Sequence, residues 1–317
     1  MVRRLIALAA LSLAGLAAFA QEQDLSKVEI KVTALASGLY LLQGAGGNIA
    51  ASIGADGSVL VDDEFAPLAG KITDALAATG AATGAATKPV RFIFLTHYHF
   101  DHVGGNLPFA TAGATIIAHE NLRSKLLVDG FAGNGGSMHM ARKATEAGAL
   151  PTVTFDRELT VHLNGEDIHA EHFAGAHTSG DSVVFFNRAH VVHMGDIFVR
   201  YGFPFIDVEN GGSVQGMISA CEAVLAKLPV DAKVIPGHGE LASIEDLRTY
   251  VKLLKDTSAL VSQSLKRGRS LEQMKQDKLL SAWSAKYTGR FVDADAFLES
   301  LYYSLAKHAR APTSTVH

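Results

Sequence analysis

The chain has 317 residues, of which 48% are hydrophobic and 19% charged, and its formal net charge is −4. This composition is typical of a globular protein with a substantial core, and the length allows one large domain or two ordinary ones. The acidic balance argues against a nucleic-acid partner, whose phosphates require a concentrated basic surface. The single cysteine, Cys221, excludes an internal disulfide, and its position on an apolar helical face predicts a buried thiol.

Residues 1–20 have the pattern of a secretory signal peptide. Arg3 and Arg4 precede an apolar stretch, and the end at Ala20 fits a small-x-small cleavage site. The stretch is short for a bilayer span and "QEQD" follows at once, so we expect no stable membrane anchor. Cleavage removes two of the 28 basic residues and leaves 26 against 32 acidic ones, a net charge of −6. We expect an exported protein, periplasmic or secreted.

Strands and helices then follow in two similar successions. Apolar alternation and turn pairs predict strands at 28–35 and 39–43, a hairpin over 49–63, a helix over 66–80 and a buried strand at "RFIFL". A similar order of strands followed by helices recurs after residue 158. We therefore predict an α/β fold, a four-layer αββα sandwich of two mixed β-sheets with helices outside, over residues 21–242.

Helical patterns dominate the C-terminal part of the chain. They predict a helical extension over 243–309, starting at Ser243 and packed on the core, followed by a disordered tail at 310–317. The low-complexity stretch 79–87 is predicted to be a loop or a frayed helix end. The sequence leaves the oligomeric state open.

The heptapeptide "THYHFDH" follows the buried strand directly. Side chains alternate along a strand, so His97 and His99 project to one side and offer two neutral nitrogen donors to a metal. Asp101 and His102 come where the chain turns, and they face a neighbouring point. Imidazoles packed this closely without a metal would be costly to bury. The motif therefore predicts two adjacent metal sites.

Each of these sites still lacks ligands, because a catalytic zinc usually has three protein ligands and an open position. Three further motifs present single candidates beside glycines: His177 in "GAHTSGD", Asp196 in "HMGDIF" and His238 in "IPGHGE". Flanking glycines allow a tight turn and a close approach of the backbone to a metal.

These motifs, together with Asp62 at the end of "VLVDD", resemble the five motifs of the metallo-β-lactamase superfamily, in the same order, over residues from about 28 to 240. The resemblance implies that the first zinc is bound by His97, His99 and His177. It implies that the second zinc is bound by Asp101, His102 and His238. Asp196 would bridge the two ions, and Asp62 would be a supporting carboxylate rather than a ligand.

Two such zinc ions imply a hydrolase. They would share a bridging hydroxide, which attacks a carbonyl bound over the first zinc while the second zinc stabilises the leaving group. Asp101, the predicted catalytic residue, would orient the hydroxide and relay a proton. An exported enzyme of this kind meets β-lactams, lactones and related esters, and these small molecules are the predicted substrates.

One departure from the superfamily's β-lactamases leaves alternatives open. Where they commonly have a cysteine or a small residue, this chain has Asp196, which resembles glyoxalase II-type thioesterases and lactonases. A shell of nitrogen and oxygen ligands also accepts iron or manganese. The alternatives are therefore a thioester hydrolase similar to glyoxalase II, or an iron-dependent oxidoreductase similar to the persulfide dioxygenases.

Substrate contacts are expected from loops over the metals. The Gly-rich stretch 129–140 is predicted to be a loop that forms a flap, with His139 as a candidate contact. The loop 200–213 offers Tyr201 and Asn210, and its aromatic residues Phe203 and Phe205 are candidates to line a pocket. It leads into the Cys221 helix, for which Ser213 is the predicted N-cap.

Overall fold

A computed structural model describes residues 24–84, 88–287, 289 and 291–310, with side chains described as far as Ala306. The predicted signal peptide lies outside the described residues, and so does the predicted disordered tail except for Arg310. Residues 85–87 of the low-complexity stretch also lie outside them. Within the described ranges, no helix combines the length and the apolar character that a bilayer crossing requires.

Strands form the central layers of the fold. They are β1 (Lys31–Ala36), β2 (Leu39–Gln43), β3 (Ile49–Gly54), β4 (Gly57–Val61), β5 (Val90–Phe94), β6 (Thr115–His119), β7 (Gly130–Gly133), β8 (His139–Arg142), β9 (Val153–Phe155), β10 (Glu158–Leu163), β11 (Glu166–His172), β12 (Ser182–Phe186), β13 (Val191–His193), β14 (Lys233–Ile235) and β15 (Ala242–Ser243).

Helices cover the outside. They are α1 (Ala69–Ala82), α2 (Phe100–Val103), α3 (Asn106–Thr111), α4 (Glu120–Leu126), α5 (Val214–Lys227), α6 (Ile244–Lys266), α7 (Leu271–Gln276), α8 (Ser281–Tyr287) and α9 (Ala294–Arg310). The predicted N-cap of α5 is confirmed, because the Ser213 side chain accepts a hydrogen bond from the backbone N–H of Gly216.

The strands form two large sheets, in the orders β1-β2-β3-β4-β5-β6-β9 and β10-β11-β12-β13-β14-β15. In the first sheet β1 to β4 pair antiparallel, while β4, β5, β6 and β9 pair parallel. In the second sheet β13 and β14 are the parallel pair, and the other neighbours are antiparallel. Both sheets are therefore mixed, as predicted.

Three clusters of buried apolar side chains bind the layers together. One lies between the sheets and joins Phe94 and Val61 of the first to Phe186 and Ile235 of the second. A second packs the outer face of the first sheet against α1, α3 and α4. A third packs the second sheet against α5, α6 and α9, and it includes the buried thiol of Cys221. The order of layers is helix, sheet, sheet, helix, so the predicted αββα sandwich is confirmed.

The parallel pairs determine where loops from distant parts of the chain meet. Parallel neighbours end at the same edge of a sheet, so the segments after β4 and β5 emerge together. The segments after β13 and β14 do the same in the second sheet. A hydrogen bond from the backbone N–H of Ser182 to the carbonyl of Thr96 joins the two sheets at this edge.

The prediction of a loop over the Gly-rich stretch is wrong, because β7 and β8 form a two-stranded hairpin there. These four-residue strands are stabilised from outside the hairpin. The Asn210 amide donates to the carbonyl of Phe131, and the backbone N–H of Gly133 donates to Asp207. Because this support comes from distant residues, the local sequence has no strand periodicity from which the hairpin could be predicted.

Candidate metal centre

Seven side chains from four loop segments converge at the shared edge of the two sheets. Five are imidazoles and two are carboxylates, and every residue predicted as a metal ligand is among them: His97, His99, Asp101, His102, His177, Asp196 and His238. Three overlapping groups of them have their ligating atoms within 4.8 Å of one another. The first four residues follow β5, whereas the last two follow β13 and β14.

The first half of the centre contains only imidazoles. His97, His99 and His177 form one group of candidate ligands. The Nδ1 of His99 lies 3.0 Å from the Nε2 of His177. The rings of His97 and His177 meet edge to face with centroids 4.7 Å apart. All three rings are buried, so this half offers three nitrogen donors in a dry environment.

The second half combines imidazoles with carboxylates. The Nε2 of His238 lies 3.1 Å from both the Nε2 of His102 and the Oδ2 of Asp101. Asp196 lies between the halves. Its Oδ1 is 3.3 Å from the Nε2 of His102, and its Oδ2 is 3.9 Å from the Nε2 of His177. One carboxylate thus presents an oxygen to each group.

Outer hydrogen bonds fix which ring nitrogen faces inward. The Nδ1 of His102 lies 2.7 Å from Asp62, that of His97 3.0 Å from the Thr96 hydroxyl, and that of His177 2.9 Å from the carbonyl of Phe205. His99 is turned the other way, with its Nε2 3.2 Å from Asp207. A partner on the far nitrogen fixes the tautomer and the ring orientation of a metal-binding histidine.

Asp62 occupies the supporting position that the resemblance implies. Besides facing His102, it accepts hydrogen bonds from the backbone N–H and the hydroxyl of Thr96, at 2.7 and 2.8 Å. Asp62 has a positive φ of 65°. Its left-handed backbone turns the carboxylate from the end of β4 toward the loop after β5.

The charges of the two halves differ. Burial, followed by the nearby His102, holds the pKa of His97 well below its usual value, and burial with His99 lowers that of His177 to about 4. Burial also opposes a charged His102, but Asp101, Asp196 and Asp62 outweigh it and raise the pKa of His102 well above the usual value. His97 and His177 are therefore neutral donors, while the carboxylates around His102 favour a positive charge in the second half, as a metal cation would supply.

The residues fit a divalent metal. Within the described residues, the Nε2 of His97 and the Oδ1 of Asp196 are buried and make no hydrogen bond, an arrangement that a metal would explain. The backbone beside Asp196 leaves no room for a side chain, because a Cβ on Gly237 would lie 2.0 Å from the Oδ1 of Asp196. Imidazole and carboxylate donors together suit zinc, iron or manganese.

The centre is most exposed on the side of Asp101 and His238, which is called its open side below. His97, His102 and His177 are almost completely buried. Asp101 and His238 keep 22% and 20% of their side chains exposed. A ligand from solvent therefore reaches the centre past Asp101 and His238.

A family model described as the metallo-beta-lactamase superfamily matches residues 54–257, which is more than half of the chain. The chain belongs to the metallo-beta-lactamase superfamily. The resemblance inferred from the motifs is thus confirmed, and the chain is a metal-dependent hydrolase of this superfamily. The matched range ends inside α6, so α7, α8 and α9 lie beyond it.

Individual relatives are distant. The chain is 26% identical over 156 residues to a probable metallo-hydrolase of Bacillus subtilis (strain 168), YqgX, an alignment that covers 46% of this chain and 67% of that protein. A metallo-beta-lactamase from Pontibacter korlensis has a TM-score of 0.57 at 16% identity and covers 72% of this chain and 99% of its own. FIM-1 from Pseudomonas aeruginosa, in its mono-zinc form, has a TM-score of 0.53 at 19% identity, with coverages of 72% and 96%. At 16% and 19% identity, these two structures show that they share the superfamily fold with this chain, and no more than the fold.

The residues predicted to contact the substrate lie at different positions around the candidate metal centre. The ring of Tyr201 lies 5.5 Å from that of His238, at the open side. The Asn210 amide is bound to Asp207 and to the hairpin, and His139 stacks on Phe131 and faces Glu209.

The two phenylalanines of the same loop have separate roles. Phe203 stacks on Phe297 in the core, because the loop turns its ring inward, and it therefore lines no pocket. Phe205 packs beside His99 and His177, with ring centroids 5.8 and 5.9 Å apart.

The sequence analysis missed Asp207. This buried carboxylate accepts hydrogen bonds from the hydroxyl of Tyr98 and from the backbone N–H of Gly133, and it faces the Nε2 of His99. Burial opposes its charge, but the bond with His99 lowers the pKa of Asp207 to about 2. A polar residue ending the apolar stretch "PFI" was the only local signal.

Proposed function

We propose that this chain is a dinuclear-zinc hydrolase whose substrate is a small carbonyl compound, foremost a β-lactam, a lactone or a related ester. The observation that supports the proposal most directly is the inward orientation of five ring nitrogens and two carboxylates, two of whose atoms are buried without a hydrogen bond. Outer partners hold four of those rings in the orientation that ligands need.

In this proposal His97, His99 and His177 would hold the first ion, and Asp101, His102 and His238 would hold the second. Asp196 would be available to both, since its two oxygens face opposite halves of the centre. When bound, two such ions polarise a substrate carbonyl and make water nucleophilic near neutral pH.

The residues around the ions position the attacking water and transfer protons. Asp101 is the partly exposed carboxylate at the open side, and burial is outweighed by His102 and His238, which lower the pKa of Asp101 to about 2. It is therefore charged at neutral pH and accepts a hydrogen bond from an entering water. Hydrolysis places the oxygen of that water on the acyl carbon, breaks the bond to the leaving group and transfers a proton to it.

The name of the B. subtilis relative, a probable metallo-hydrolase, supports the general activity. The β-lactamase names belong to structures below 25% identity, so they favour no particular substrate here.

The test combines metal analysis with a substrate panel. We expect two zinc ions per purified chain, and turnover of at least one of a chromogenic cephalosporin, a homoserine lactone and a glutathione thioester. A single iron per chain, or no turnover by the zinc-loaded protein, would contradict the proposal.

A first prediction concerns His99. Removing this buried ligand in His99→Ala should lower the metal content and abolish turnover, as measured by elemental analysis and initial rates. His162→Ala is the matched control, because His162 is an exposed imidazole paired with Asp167 on the second sheet. It should keep both properties, and full activity in His99→Ala would refute the ligand assignment.

A further inference from the structure

Three aromatic rings adjoin the metal centre in a continuous row. Tyr201 meets His238 with ring centroids 5.5 Å apart, and Phe205 meets His99 at 5.8 Å. Phe291 joins them, because its ring lies 6.1 Å from Tyr201 and 5.9 Å from Phe205, edge to face in both cases. The row therefore touches an imidazole from each half of the centre.

Phe291 comes from the C-terminal part of the chain, beyond the residues that the family model matches. Its segment is held tightly against the loop that carries Tyr201. The backbone N–H of Phe203 donates to the carbonyl of Tyr287 at 2.6 Å. A Cβ on Gly202 would lie 2.4 Å from that same carbonyl, and one on Gly289 would lie 2.5 Å from the carbonyl of Tyr201. These contacts fix Phe291 beside the centre.

Tyr201 and Phe291 present an apolar surface to solvent at the open side of the centre, with Phe205 packed behind them. Phe205 is buried, Tyr201 is half-buried, and Phe291 keeps 38% of its surface exposed. The exposed edge of His238 lies next to Tyr201. A molecule whose carbonyl enters past His238 therefore passes along these rings.

We propose that Tyr201, Phe205 and Phe291 form a subsite that binds an aromatic or alkyl group of the substrate and so selects apolar acyl compounds. This inference rests on the proposed hydrolase function for the identity of the reacting group. Burying an apolar group against aromatic rings is favourable because it removes apolar surface from water, and ring-to-ring contacts add to it. Phe291 is the specificity-determining member, since it is the most exposed of the three.

Binding of two hydroxamates tests the subsite without turnover. Both carry the same metal-binding head, but 3-phenylpropanohydroxamate adds a phenyl group that acetohydroxamate lacks. With the zinc-loaded protein, calorimetry should give a Kd about tenfold lower for the phenyl compound. In Phe291→Ala that ratio should fall to about threefold or less, whereas the Kd of acetohydroxamate stays the same. Phe291→Leu should give an intermediate ratio.

Phe131→Ala is the matched control, because Phe131 is an aromatic residue that is 51% exposed on the hairpin. It should keep the wild-type ratio. An unchanged ratio in Phe291→Ala with wild-type thermal stability, or an equal loss in Phe131→Ala, would overturn the subsite. If the ratio behaves as expected while no ester, lactone or thioester is turned over, the subsite stands and the proposed hydrolysis fails.

Discussion

Single hydrogen bonds decide the orientation of four of the five inward-facing imidazoles. Asp62 fixes His102, and Asp207 fixes His99 while also binding Tyr98 and Gly133. Asp207 therefore connects a candidate ligand to the hairpin and to the core. Outer carboxylates of this kind raise the basicity of a ligand and hold its ring in place.

A second prediction follows for Asp207. Asp207→Asn keeps the shape but weakens the acceptor for His99, so zinc affinity should fall about 10- to 100-fold in a chelator-competition assay. Asp167→Asn weakens the corresponding acceptor in the pair that Asp167 makes with His162, 2.7 Å apart, and should leave zinc affinity unchanged. Equal affinities in Asp207→Asn and the native chain would exclude this role.

At the scale of single residues, the supporting role of Asp62 could be predicted from the sequence, whereas that of Asp207 could not. Asp62 ends a strand within a superfamily motif, and the candidate ligands lie beside glycines or cluster within seven residues. Asp207 has no such local pattern. Its partners Tyr98 and Gly133 are 109 and 74 positions away, so its role depends on tertiary structure alone.

Among the elements, the β7–β8 hairpin is attached both along strand β7 and at its tip. Asp207 binds Gly133 and Asn210 binds Phe131, both in β7. At the tip, Glu299 of α9 accepts hydrogen bonds from the backbone N–H and the hydroxyl of Ser137, both at 2.6 Å, and pairs with Lys275. The helices beyond the family match thus anchor the segment that was predicted as a flap.

A third prediction concerns this anchor. Glu299→Gln should speed amide hydrogen exchange over residues 130–142, because the charge-assisted bonds to Ser137 and Lys275 are weakened. Asp295→Asn, an exposed position on the same helix, should leave the exchange unchanged. Exchange that is equally fast in the native chain and in Glu299→Gln would rule out the anchor.

The same anchor has a defined pH dependence. Burial would raise the pKa of Glu299, but Lys275 and Ser137 outweigh it and lower that pKa below its usual value. The stabilising contribution of a lowered carboxyl pKa is present above about pH 4, its unfolded value, and is lost as pH falls through the folded value. The protection of the hairpin amides, corrected for the intrinsic pH dependence of exchange, should therefore fall on acidification.

A fourth prediction tests the start of α6. Ser243 and Asp246 form a capping box, in which each side chain accepts a hydrogen bond from the other's backbone N–H. Ser243→Ala should lower the free energy of unfolding by about 1 kcal/mol in denaturant titrations. Ser258→Ala, a substitution at a half-buried position inside the same helix, should have little effect. A midpoint unchanged by Ser243→Ala would contradict the cap's contribution.

At the scale of the whole molecule, the candidate centre joins the two sheets. Four of its side chains follow β5 of the first sheet, and three come from loops of the second. Bound ions would therefore stabilise the packing of one half of the sandwich on the other. The sequence predicted both halves, since strand alternation and glycine-flanked ligands are local features. It did not place Phe291 beside Tyr201, because that contact depends on how the C-terminal helices dock.

A fifth prediction concerns metal removal. Ions that bind only the folded state stabilise it by about 4 kcal/mol when their free concentration is a thousand times the Kd. Chelation should therefore lower the Tm, and added zinc should restore it. The increase in Tm on adding zinc should be smaller in His99→Ala than in His162→Ala. A Tm that is the same with and without zinc would show that the ions do not couple the two halves.

The distribution of the seven side chains along the chain also matters for biogenesis. The last of them, His238, is separated from the first by 141 positions, so a ribosome must synthesise the first sheet and the second as far as β14 before the cluster is complete. A nascent polypeptide that ends before this residue carries only part of the set. Full metal capture is therefore a late event of maturation, and proteolytic truncation upstream of residue 238 would yield a product without it.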